Sequence, residues 1–207
     1  MKLKPLIVAV ISIAALLSAA TDSFACACCV ERGYYERTFT QPDQYLLSVF
    51  GEMQFDKGEL YFDISEFESI RGLSELKADY AANKAIDLNL VESFAMRTWK
   101  LNFTTGAGRK GSLVLPMPAK MLKLKVDTHD EEASEPHREV SLYKEFSFIG
   151  KVSSGSGIFR SANTRPTAYT LVFHGRGNGC DSAGDFTYWR LELNGPRAEY
   201  AMFGKMK

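Results

Sequence analysis

Apolar and polar residues alternate along most of the chain after residue 44, and this alternation predicts a single β-rich domain over residues 45–207. The first predicted strand is Tyr45–Phe55, in which one face is apolar or small and the other face is mixed. We expect a turn at residues 56–58 and a second strand at residues 59–64.

Eight further segments have the two-residue period of strands and are separated by short polar or glycine-containing turns. They are residues 98–103, 112–115, 122–127, 141–152, 158–161, 168–174, 186–193 and 197–203. In the strand 122–127, the apolar residues alternate with Lys123 and Lys125, so the pattern predicts that the lysines face solvent. The dipeptide Asn194-Gly195 is the strongest short hairpin signal in the chain.

Helical periodicity is confined to one short segment, near residues 73–83. Leu73, Leu76 and Tyr80 stand at positions i, i+3 and i+7, and Ser74 can cap a helix. About ten short strands with tight returns and one short helix indicate a mainly β fold. We expect an antiparallel up-and-down barrel, and a β-sandwich is the alternative.

The first 25 residues have the three zones of a secretory signal peptide. Lys2 and Lys4 form a basic start, residues 6–20 are almost entirely apolar, and Ser23 and Ala25 supply the small residues of a cleavage site. We therefore predict a signal peptide at residues 1–25, a cysteine head and N-terminal arm at residues 26–44, and export to the periplasm, cell envelope or extracellular space.

The charge of the mature chain gives no sign of a nucleic-acid partner. Loss of residues 1–25 removes two lysines and one aspartate and leaves 23 basic and 24 acidic residues, a net charge of −1. A near-neutral chain lacks the basic surface that phosphate backbones or anionic lipids require. After the leader, no apolar stretch is long enough to span a bilayer.

Three of the four cysteines, Cys26, Cys28 and Cys29, start the predicted mature chain, and Cys180 is distant. Exported cysteines usually form disulfides, and four thiols allow three pairings. A Cys28–Cys29 bond between adjacent residues is strained, so the least strained arrangement joins Cys26 to Cys29 and Cys28 to Cys180. Disulfides are thus the leading interpretation of the head.

Two other chemistries remain open for the head. Cys26, Cys28 and Cys29 are candidate thiolate ligands for Cu(I) or Zn(II), because thiolates suit soft metals. Thiol oxidoreduction through Cys26 and Cys29 is the less favoured alternative, since redox Cys-x-x-Cys pairs normally begin a helix. Lipidation of Cys26 is a further alternative, although Ser23 stands where an aliphatic residue is usual.

The glycine-rich stretch between residues 174 and 185 contains the candidate ligand-loop residues. They are His174, Arg176, Asn178, Asp181 and Asp185. Glycines let a backbone approach a ligand, and functional residues concentrate on loops. The structural alternative is a long hairpin loop that Cys180 attaches to the head.

Residues 127–139 hold six carboxylates and two histidines. Such a run is typical of a solvated loop between strands, and a divalent-cation site is the alternative. Residues 106–111 fit the letters G-x-G-x-x-G, but a strand that ends at Pro116 follows them, so we interpret them as a hairpin turn rather than a dinucleotide site.

Three segments resemble exported bacterial proteins of unknown function. They are the head Cys26-Ala27-Cys28-Cys29, residues 175–181 and residues 200–205. The resemblance implies an envelope or extracellular location, and it implies no catalytic residue.

The sequence contains no G-x-S-x-G, H-E-x-x-H or Walker motif, and it has only three histidines. We therefore expect a non-enzymatic domain without a resident cofactor that binds a small molecule or an envelope partner. The alternative is a metal-binding protein that uses the cysteine head.

Overall fold

The computed structural model describes residues 28–60, 71–76, 86–128, 141–163 and 166–207. These residues form eleven strands and one α-helix, which confirms the predicted mainly β, antiparallel fold. The helix α1 is Gln44–Glu52. The strands are β1 (Tyr35–Thr40), β2 (Phe55–Leu60), β3 (Ile86–Ala95), β4 (Thr98–Thr105), β5 (Lys110–Pro116), β6 (Met121–Asp127), β7 (Leu142–Lys151), β8 (Ser154–Gly157), β9 (Ala168–Gly177), β10 (Phe186–Gly195) and β11 (Ala198–Met206).

All eleven strands belong to one antiparallel sheet that curls into a half-barrel. The strand order is β1-β6-β7-β9-β10-β11-β2-β3-β4-β5-β8. Because β8 follows β7 after only two residues and pairs with β5, the chain itself brings the β5 side of the sheet next to β7. The backbone hydrogen bond from Ser153 N to Val114 O, 2.9 Å long, lies at this junction.

The predicted strand Tyr45–Phe55 is wrong, because most of it forms α1. The Asp43 side chain caps the helix by accepting a hydrogen bond from Leu46 N at 2.8 Å. Leu46, Val49 and Phe50, at positions i, i+3 and i+4, are the buried residues of the helix. These apolar residues lay on both faces of the predicted strand, and the 3.6-residue period gathers them on one face.

The turn predicted at residues 56–58 is also wrong, since these residues lie inside β2. Of the helix predicted near residues 73–83, Ser74–Leu76 form a short 3-10 turn with Leu76 buried. Residues 77–83 lie outside the described residues, as does most of the acidic segment 127–139.

The N-terminal arm is part of the sheet. Its residues 35–40 form β1, which pairs with β6 from Tyr35 opposite Val126 to Thr40 opposite Met121. The sheet of the domain therefore begins at Tyr35 rather than at Tyr45. The hairpin predicted at residues 105–110 is present. β10 and β11 also form a hairpin, but its turn is at residues 196–197 rather than at Asn194-Gly195, because Asn194 and Gly195 pair with Glu199 and Ala198 within the sheet.

Aromatic side chains fill the interior of the half-barrel. Phe50 projects from α1 and meets Phe148 and Phe146 edge-to-face, with ring centroids 5.3 and 6.2 Å away. Trp99 packs against Phe148 at 4.8 Å, and all four rings are almost fully buried. Edge-to-face packing of buried rings adds to the free energy of area burial. Together with α1, these rings form part of the hydrophobic core of the half-barrel.

Candidate functional site

The strand β6 faces the opposite way from the sequence prediction. Lys125 is only 2% exposed and points inward, whereas Leu124 and Val126 lie half-buried on the outer face. Lys144 on β7, which pairs with Lys125 in the β6–β7 register, is fully buried. The prediction that the β6 lysines face solvent was wrong, because it took no account of counter-charges elsewhere in the chain.

Those counter-charges come from the glycine-rich loop after β9. Lys125 Nζ lies 2.7 Å from Asp181 Oδ1, and Lys123 Nζ lies 2.9 Å from Asp181 Oδ2. Lys144 Nζ lies 2.6 Å from Asp185 Oδ2. We call these three lysines and two aspartates the lysine cluster.

Glu36 on β1 brings the charges of this region to balance. Its Oε1 lies 3.8 Å from Lys123 Nζ, so three carboxylates face three ammonium groups. Buried charges are tolerated only where they are paired in this way. The balance leaves the cluster no surplus charge with which to attract an ionic ligand.

The titration of the cluster follows from the same contacts. Burial acts to raise the pKa of Asp181, but the ammonium groups of Lys125 and Lys123 outweigh burial and hold that pKa below its usual value. Burial lowers the pKa of Lys125, and attraction to Asp181 only partly offsets it. Burial also acts against the charged form of Lys123, but the hydrogen bond and charge of Asp181 raise its pKa overall.

The cluster also holds the backbone of the loop. Lys125 Nζ donates a hydrogen bond to the carbonyl of Gly179, and Lys144 Nζ donates one to the carbonyl of Cys180. Tyr45 Oη, at the start of α1, donates to the carbonyl of Asp181 at 2.5 Å. The inward lysines therefore act as a platform that positions residues 179–181.

The disulfide Cys28–Cys180 lies directly on this platform. The two Cα atoms are 4.8 Å apart across a separation of 152 residues, and this pairing is the one predicted from the sequence. Gly179 N donates to the carbonyl of Cys28 at 2.7 Å, which adds a backbone contact beside the bond. The head is thus attached to the loop by a covalent bond and a hydrogen bond.

Cys29 is disulfide-bonded as well. Its predicted pairing with Cys26 stays a prediction, because Cys26 lies outside the described residues. Metal binding by Cys26, Cys28 and Cys29 also stays a prediction, and it requires reduction, because Cys28 is not a thiolate while it is bonded to Cys180. Within the described ranges, no group of three or more His, Cys, Asp or Glu side chains is arranged to hold a metal ion.

The candidate ligand-loop residues fall into four places. Asp181 and Asp185 meet in the lysine cluster. Asn178 Oδ1 accepts a hydrogen bond from Cys180 N at 3.1 Å within the loop, and Arg176 Nη1 donates to Thr128 Oγ1 at 2.9 Å. His174 lies on the outer face of the sheet, opposite to the face that carries the lysine cluster.

His174 contributes to an outer-face groove of about 650 Å³ that crosses β9, β10, β11 and β2. Its aromatic lining consists of His174, Tyr188, Trp189 and Phe203, and its other lining residues are Asp56, Lys57, Glu59, Gly204 and Lys205. Such a volume is typical of small-molecule sites. Among these residues, only His174 was a site candidate from the sequence.

Two irregularities of the sheet flank the groove. The β9–β10 register shifts between Phe186 and Tyr188, and the β11–β2 register shifts between Gly204 and Met206. Bulges re-aim side chains and are over-represented near functional sites.

The floor of the groove carries no side chain at Gly58 and Gly204, which pair with each other across β2 and β11. The Trp189 indole lies against both glycines, and a Cβ added to Gly58 would come within 2.7 Å of Trp189 Cζ2. Trp189 Nε1 is buried and has no hydrogen-bond partner within the part of the chain that the structure describes. An unpaired buried donor is uncommon in folded proteins.

The exposed rings of the groove are each supported by a neighbouring side chain. Tyr188 is 45% exposed and stacks on His174, with centroids 5.5 Å apart and planes 21° apart. Phe203 is 41% exposed, and the Arg190 guanidinium lies 5.6 Å from its ring centroid. Burial lowers the pKa of His174 despite the opposing charge of Glu145, so the imidazole is neutral near pH 7.

Comparisons with protein-family models, curated proteins and solved structures found no match to this chain. None of the described helices is long and apolar enough to cross a membrane.

Proposed function

We propose that this chain is an exported, non-enzymatic binding protein of the cell envelope or extracellular space, and that its ligand occupies the outer-face groove. The observation that carries the proposal is the construction of the groove. It lies between two register shifts and exposes the rings of Tyr188 and Phe203, which contact His174 and Arg190 respectively. Concave sites with aromatic walls and a few polar groups are typical of ligand binding.

Export is supported by the leader pattern of residues 1–25 and by the disulfide Cys28–Cys180. Structural disulfides persist in oxidising compartments and are rare in the cytosol. Expression of the full chain with its leader, followed by intact-mass measurement of the exported product, tests this part. We expect cleavage at or near Cys26 and two disulfides, and a retained leader would contradict it.

A binding role is also favoured by the distribution of the ionisable groups. Asp181 of the loop and Lys125 of β6 have shifted pKa values, but both side chains are buried between the loop and the sheet and are bound to partners. Catalytic acids and bases need access to substrate. The accessible groove combines aromatic rings with exposed ionic side chains, a lining that suits ligand recognition.

A screen of diverse compounds tests the groove even though its ligand is unidentified. The ¹⁵N-labelled oxidised protein is mixed with each member of a chemically diverse library, and NMR amide shifts are the readout. We expect hits that shift amides of β2, β10 and β11 near Gly58 and Gly204 and that lose binding in Phe203→Ala.

Phe39→Ala is the matched control for this screen, because Phe39 is an exposed phenylalanine on β1 and is not among the groove residues. It should bind every hit as the wild type does. A library that never perturbs the groove amides would contradict the proposal.

A further inference from the structure

The ionic side chains of the outer-face groove cancel one another. Asp56 and Glu59 supply two negative charges, and Lys57 and Lys205 supply two positive ones. An anionic ligand would meet the two carboxylates, and a cationic ligand would meet the two ammonium groups. The groove therefore offers no net electrostatic attraction to either class.

The four ionic side chains are also exposed to solvent. Exposed ion pairs contribute little free energy, because water and salt screen them. A zwitterionic peptide would thus gain little from matching its charges to these groups. Hydroxyl groups can bind groups of both signs, because each hydroxyl can donate to a carboxylate or accept from an ammonium group.

The aromatic rings provide the apolar part of the surface. Tyr188 stands opposite Lys205, and Phe203 stands two residues before Lys205, so the two rings are diagonal neighbours on β10 and β11. Diagonal neighbours of this kind are about 7–8 Å apart, within reach of one extended ligand. His174 contacts the Tyr188 ring and Arg190 contacts the Phe203 ring, and these contacts restrict the movement of both rings.

We infer that the ligand of the outer-face groove is a neutral saccharide whose C–H faces stack on Tyr188 and Phe203 and whose hydroxyl groups bind the carboxylates and ammonium groups. A pyranose combines an apolar face with a rim of hydroxyls, which is the combination that this groove complements. The inference rests on the proposed function, since it specifies the ligand class of the same site.

The test titrates the oxidised protein with neutral β-glucan, α-glucan and chitin oligosaccharides by calorimetry. Oligogalacturonate and a set of dipeptides provide the anionic and zwitterionic comparisons. We expect at least one neutral oligosaccharide to bind, and we expect Tyr188→Ala and Phe203→Ala each to weaken it about tenfold through loss of stacking.

Tyr35→Ala and Phe39→Ala are the matched controls. The strand register places Tyr35 and Phe39 on the same outer face, at β1, and both are more exposed than the groove rings. Their replacement should leave saccharide affinity unchanged. Equal loss in the controls and in the groove variants would overturn the inference.

The remaining outcomes separate the two proposals. Groove-dependent binding of only the anionic or zwitterionic probes would overturn the saccharide class and leave the proposed function standing. Binding of no probe here, together with no groove hit in the library screen, would overturn both.

Discussion

The lysine cluster and the outer-face groove both combine opposite charges on the same curled sheet, yet they lie on opposite faces and differ in burial. In the cluster, buried ammonium groups are matched by carboxylates and backbone carbonyls. In the groove, the ionic groups are exposed and two aromatic rings remain accessible. Buried charges whose partners are all present therefore position the loop, whereas an exposed surface with both apolar and polar groups is available for recognition.

The two regions should differ most in what they contribute to the free energy of unfolding. Replacing one aspartate in each region compares these contributions. Asp181→Ala should lower the free energy of unfolding by about 3–5 kcal/mol, because it leaves Lys123 and Lys125 buried without their main counter-charge. Asp56→Ala in the groove should change it by no more than about 0.5 kcal/mol. Urea denaturation of both variants gives the comparison, and similar losses would show that the two regions are not distinct.

Removal of the disulfide tests whether the lysine cluster alone can keep the cysteine head attached to the loop. Cys28→Ser together with Cys180→Ser should lower the free energy of unfolding by about 2–4 kcal/mol, because the bond closes a loop of 152 residues. Denaturation of this variant beside the oxidised wild type measures the effect. Saccharide or library binding at the groove should persist under native conditions, since the groove is built on other strands. Loss of groove binding in the folded variant would contradict the separation of the two regions.

The smallest expected effect is a dependence on pH. The pKa of Asp181 is lower in the folded protein than in the unfolded chain, so its ionised form stabilises the fold above the unfolded value of about 3.9. That contribution is lost as pH falls through the lower, folded pKa. The stability advantage of the wild type over Asp181→Asn should therefore shrink in this acidic range.

Asp56→Asn is the control for the pH series. Its stability should follow the wild-type curve over the same range, as measured by thermal unfolding at each pH. An advantage over Asp181→Asn that stays constant down to strongly acidic pH would contradict ion pairing as the role of Asp181.

The helix α1 shows why periodicity alone misplaced one element. Residues 45–55 are apolar at positions that satisfy both a strand with a mixed second face and an amphipathic helix. The available signal was Asp43, which stands where an N-cap should precede the helix. Burial of Phe50 against Trp99, Phe146 and Phe148 then favours the helix.

The groove could not be predicted from the sequence, and the reason differs from that for α1. Tyr188 and Trp189 are adjacent, and a regular alternation cannot show which ring faces outward or that a register shift precedes them. The glycines Gly58 and Gly204 are far apart in the chain, and only the pairing of β2 with β11 brings them together. The groove is a product of register, which the local pattern does not encode.

The mainly β fold, the hairpin at residues 105–110 and the pairing of Cys28 with Cys180 were predicted from the sequence, because they follow from local period, turn chemistry and ring strain. The inward direction of Lys125 and Lys144 and the shape of the groove depend on tertiary contacts and could not be predicted from the sequence. An inward lysine is stable only beside its counter-charge, and Asp181 lies 56 residues from Lys125 in the chain, so the fold has to bring them together.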